Sequence, residues 1–78
     1  MNRNLVLDHL AQLEHQLARG EAYLNSQRAT VRRLEYGGED ATEAKEVLAT
    51  YAMSQAGLLA TRDRLRAELV QLEVYANM

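Results

Sequence analysis

Residues 34–44 read Leu34-Glu35-Tyr36-Gly37-Gly38-Glu39-Asp40-Ala41-Thr42-Glu43-Ala44, setting two adjacent glycines near the midpoint of a proline-free chain. The residues on either side are strong helix formers. Gly37 is placed to follow a helix end, where a left-handed backbone closes the last carbonyls without a Cβ clash. Arg32 and Arg33 fall in the last turn before it, favourable against the negative end of the helix dipole. Asp40-Ala41-Thr42-Glu43 reads as a capping box, with Asp40 at the N-cap and Glu43 reaching back from the third helical position. A stop and a start this close together make a short connection and therefore antiparallel neighbours. A single helix kinked at the glycines would leave both capping signals without a purpose.

Outward from the glycines, apolar residues recur at helical spacing on both sides. Upstream the row is Val6, Leu10, Leu13, Leu17, Leu24, Val31 and Leu34, with Gly20 and Gln27 at the two positions where the register asks for a large apolar group. Downstream it is Ala44, Leu48, Tyr51, Gln55, Leu58, Arg62, Leu65, Leu69 and Leu72. Each arm of about 32 residues would be about 48 Å long. Folding them together sets Leu34 near Ala41 or Ala44, and Leu10 near Leu65 or Leu69. Gln55 then lies near Gly20 or Leu24, and Arg62 near Leu13 or Leu17. The reading is an all-α fold: an antiparallel two-helix hairpin with helices over 4–36 and 40–75 and a turn at 37–39.

Composition agrees. The 78 residues include no cysteine, phenylalanine or tryptophan, so the core is leucine, alanine and valine. Disulfides and thiolate metal sites are excluded. A chain of this size is near the limit for a single core, and one seam between two helices buries only one face of each. The second arm offers a further face. Ala49, Ala52, Ala56 and Leu59 recur three or four apart in the uncharged stretch Leu48–Ala60, with Val70 beyond it. Gly57 lies in the same stretch, at a cost of about 1 kcal/mol against alanine in a helix interior. We expect Ala49, Ala52, Ala56, Leu59 and Val70 to form a self-association face that pairs two hairpins into a homodimeric four-helix bundle. Gln27, Gln55 and Arg62 would be polar seam residues that fix register, with Glu14 and Glu21 as partners for Arg62 across the seam. In the alternative, Arg62 packs its stem on leucine and extends its head to water.

No constellation for chemistry emerges. His9 and His15, six apart on a helix, point about 120° away from each other and cannot share a metal within one chain. No glutamate is followed by histidine three residues later, as a di-iron bundle requires. Phosphate-loop, nucleotide and nucleophile-elbow patterns are missing, so the expectation is no enzyme and no cofactor. The net charge of −2 argues against a dedicated nucleic-acid binder. Two arginine clusters, Arg28/Arg32/Arg33 and Arg62/Arg64/Arg66, nevertheless make a nucleic-acid-associated regulator the alternative function. The first cluster would be compensated by the acidic start of the second helix. No membrane-length apolar run or leader pattern is present, and a soluble cytoplasmic protein is expected.

The pattern Gly20-Glu21, Gln27-Arg28, Leu34-Glu35, Gly38 and Asp40-Ala41-Thr42-Glu43-Ala44, followed by Leu48-Ala49-Thr50-Tyr51, Gln55 and Arg62-Asp63-Arg64-Leu65, resembles a group of short uncharacterised rhizobial proteins. The likeness runs from about His9 to Leu69. It implies a small helical product and supplies no catalytic residues. The functional expectation is a non-catalytic interaction or regulatory module that self-associates and contacts an unidentified protein partner.

Overall fold

A computed structural model describes residues 2–77. Two helices, α1 (Arg3–Tyr36) and α2 (Thr42–Ala76), lie antiparallel in a rod of 63 × 15 × 14 Å. The chain is an all-α helical hairpin, and the reversal occurs at the glycine pair. α1 opens on Asn2, whose side-chain oxygen accepts from the Leu5 N–H at 2.9 Å, satisfying one otherwise unpaired donor of the first turn.

The turn differs in two details from the expected capping. Gly38, not Gly37, takes the left-handed backbone, with φ 69° against −79° at Gly37. The Glu39 N–H donates to Leu34 O at 2.9 Å and the Gly38 N–H to Glu35 O at 3.1 Å. That bond pair is a Schellman closure, in which the left-handed residue stands one place after the C-cap. α2 begins at Thr42, after a turn of residues 37–41, and its N-cap is Ala41 with no side-chain cap bond. Glu43 therefore falls one position too early for a capping box, and no bond from it back to Asp40 forms among the described residues. Ala41 is drawn into the end of the seam, 7% exposed. Asp40, left outside, accepts from the Thr42 hydroxyl at 2.6 Å and the Thr42 N–H at 3.0 Å. Both bonds favour the carboxylate and hold its pKa below the usual aspartate value, hydroxyl first.

The core follows the seven-residue row of α1. Val6, Leu10, Leu13, Leu17, Gly20, Leu24 and Val31 are buried, and Leu34 and Gln27 are half-buried. On α2, Gln55 and Leu65 are buried, with Ala44, Leu48, Leu58, Arg62, Leu69 and Leu72 half-buried. Val6, Leu10, Leu13 and Leu65 form the tightest cluster, with Leu58, Leu69 and Leu72 against it. The register is thereby resolved: Leu10 packs with Leu65, and Gln55 meets Gly20. One seam residue departs from expectation, because Tyr51 stays at the edge, 38% exposed.

Candidate interaction surface

Gln55 is the one buried polar side chain among the described residues. Its Nε2 donates to the Leu17 carbonyl across the seam at 2.7 Å. Gly20 makes room for it. A Cβ there would stand 2.8 Å from both Cδ and Nε2 of Gln55 and closer still to Oε1. A glycine that costs helix propensity and a glutamine that costs desolvation thus form one interlocked pair. Slipping the helices by half a heptad would set Gln55 against Leu24, whose side chain would fill the space that Gly20 leaves open.

Arg62 does not use the cross-seam partners expected of it. Its Nε and NH2 donate to Asp63 Oδ1 at 3.2 and 3.1 Å, while Glu14 is taken by Arg66 at 2.8 Å and Glu21 by Arg28 at 3.7 Å. Its side chain is 26% exposed, so the stem is packed while the head reaches the rim. The first arginine cluster is likewise not neutralised by the start of α2. Arg28 pairs within its own helix, Arg32 and Arg33 have no carboxylate within 4.0 Å among the described residues, and the ion pair joining the arms near the turn is Lys45 to Glu35 at 3.1 Å.

These pairs expose an asymmetry that requires the register to see. Seven-residue spacing puts Glu14, Glu21, Arg28 and Glu35 on one edge of α1, facing the row Lys45, Ala52, Leu59, Arg66 and Glu73 on α2. Pairs Arg3–Glu73, Glu14–Arg66, Glu21–Arg28 and Glu35–Lys45 all lie along this edge. The opposite edge is formed by His9, Gln16, Tyr23 and Thr30 of α1 with Val47, Ser54, Thr61, Glu68 and Tyr75 of α2, where Glu68 alone is acidic. Tyr23 and Tyr51 stack there, ring centroids 4.4 Å apart and tilted by 49°. This tyrosine pair was not visible in the sequence, which assigns Tyr51 to the seam.

The expected self-association row lies beside the charged edge. Ala49, Ala56, Leu59 and Val70 are exposed and Ala52 is half-buried, but Asp63 and Arg66 interrupt the row before Val70. Gly57 is exposed on α2, and a Cβ built on it would meet no atom within 4 Å. Nothing inside the hairpin accounts for a glycine there.

Concave features are open depressions rather than clefts, one lined by Glu68, Gln71, Leu72 and Tyr75 and another by Glu43, Glu46, Val47, Thr50 and Tyr51. Among the described residues, no group of three or more histidine, cysteine or carboxylate side chains could hold a metal ion. No helix there is long and apolar enough to cross a membrane. No family model, curated protein or solved structure matches this chain.

Proposed function

We propose that the chain is a non-catalytic cytoplasmic interaction module whose hairpin is one half of a homodimeric helical bundle. The supporting observation is its exposed area. The hairpin leaves 5836 Å² accessible to solvent, whereas a compact folded chain of 8.8 kDa exposes about 4,800 Å². The surplus of about 1,000 Å² matches the roughly 800 Å² that each partner contributes to a standard interface. Coverage is also uneven, since the seam buries seven residues of α1 but only Gln55 and Leu65 of α2. α2 is the helix that needs a further neighbour, and its uncharged stretch Leu48–Ala60 supplies the surface. Once the bundle is closed, the outer face of α1 is free for another protein.

Sedimentation equilibrium over a dilution series tests it. A dimer that dissociates with loss of helix is expected, and a folded monomer persisting at about 100 μM contradicts it. Arg32 and Arg33, which have no carboxylate within 4.0 Å among the described residues, support a second reading, a nucleic-acid-associated regulator. That reading requires binding to mixed DNA or RNA that weakens steeply with salt.

A further inference from the structure

We infer that a second copy of this chain docks on the edge of the hairpin opposite the ion-pair ladder, with the two α2 helices antiparallel and crossing at Ser54. The inference rests on the self-association reading and names its face and polarity. The α2 row bordering this edge is Glu43, Val47, Thr50, Ser54, Gly57, Thr61 and Arg64. Its alternating spacing of four and three keeps these residues on one helix face, and all but the half-buried Thr61 are exposed.

A two-fold axis at Ser54 makes this row complementary to itself. Thr50 faces Gly57, Val47 faces Thr61 and Glu43 faces Arg64, each pair occurring twice. Small side chains meet at the centre, where backbones can approach closely, and opposite charges meet at both ends. Neither Glu43 nor Arg64 has an ion-pair partner within 4.0 Å in its own chain among the described residues. A parallel arrangement would set Glu43 on Glu43 and Arg64 on Arg64. The arrangement also gives Gly57 the purpose it lacks in the hairpin, because the space beside its Cα receives the other helix. The stacked Tyr23 and Tyr51, 40% and 38% exposed, flank the crossing and become covered. The other edge suits a partner poorly. Its charges are already paired within the chain, and burying them would require desolvating the whole ladder.

The chain contains no cysteine, so single-cysteine variants report the face directly. At a concentration where sedimentation shows the unmodified protein to be dimeric, Ser54→Cys should form disulfide-linked dimers under mild oxidation at least tenfold faster than Ala56→Cys on the neighbouring row. Gly57→Glu should raise the dimer dissociation constant at least tenfold, and Ala56→Glu should leave it within about twofold. Rapid linkage of Ala56→Cys but not Ser54→Cys, with the parent dimeric, would overturn this face and leave dimerisation standing. A parent that stays monomeric and folded at about 100 μM would remove the self-association reading itself, and this face with it.

Discussion

Replacing Gly20 with alanine would ordinarily stabilise a helix interior by about 1 kcal/mol. In this hairpin the added methyl lands 2.8 Å from Cδ and Nε2 of Gln55. The amide must swing away, breaking its 2.7 Å bond to the Leu17 carbonyl. Loss of that bond costs about 1 kcal/mol, and overpacking the closed seam costs a further 1–2 kcal/mol or so. Set against the propensity gain, the net effect is a destabilisation of about 1–2 kcal/mol, or roughly 5–15 °C in Tm for a domain of this size. In a Gln55→Ala background the obstruction is gone, and the same Gly20→Ala change should stabilise by about 1 kcal/mol. The sign reversal amounts to a coupling of about 2–3 kcal/mol between the sites. Urea unfolding of the four proteins, followed by far-UV circular dichroism at one fixed concentration, measures it. If Gly20→Ala stabilises in both backgrounds, the interlocked pair and the register derived from it are refuted.

Further outcomes follow from the same geometry. Gly38→Ala forces a left-handed alanine and should cost about 1 kcal/mol, whereas Gly37→Ala, at ordinary φ, should stay within about 0.5 kcal/mol in urea unfolding. Leu65→Ala, at a site 2% exposed, should lower stability by about 2–5 kcal/mol; Val74→Ala, 54% exposed, should change it by less than about 0.5 kcal/mol. Gly57→Ala should raise the helicity of dilute monomer yet weaken association, a split that dichroism and sedimentation read separately. Asp40 has a depressed folded pKa, so its contribution is present above the unfolded value and is lost as pH falls through the folded one. Stability measured down an acid series should therefore decline across the lower aspartate range, and Asp40→Asn should remove that part of the slope.

The fold was legible because periodicity and glycine chemistry agree. Every residue of the α1 row from Val6 to Leu34 lies on the seam, including Gly20 and Gln27 where the apolar pattern lapses. Gln55 was already narrowed to two neighbours, and packing chose Gly20 because only a residue without a Cβ leaves room for its amide. What escaped turns on shifts of a single residue or on side-chain choice. Which glycine becomes left-handed depends on where the last helical bond closes, and α2 starts only at Thr42, with Ala41 buried at the end of the seam. Arg62 bonds its neighbour Asp63, while Glu14 and Glu21 pair with Arg66 and Arg28. The contrast between the ion-paired edge and the opposite one lay beyond reach for another reason. It belongs to neither helix alone and emerges only when both are set in register.

Concentration-dependent thermal unfolding tests the central claim, that one hairpin is half of a stable structure. Melting monitored by dichroism from about 1 to about 100 μM chain should show Tm rising steadily, because unfolding releases two chains. A Tm that is unchanged over that range, with a cooperative transition at both ends, would show that the hairpin stands alone and contradict the account.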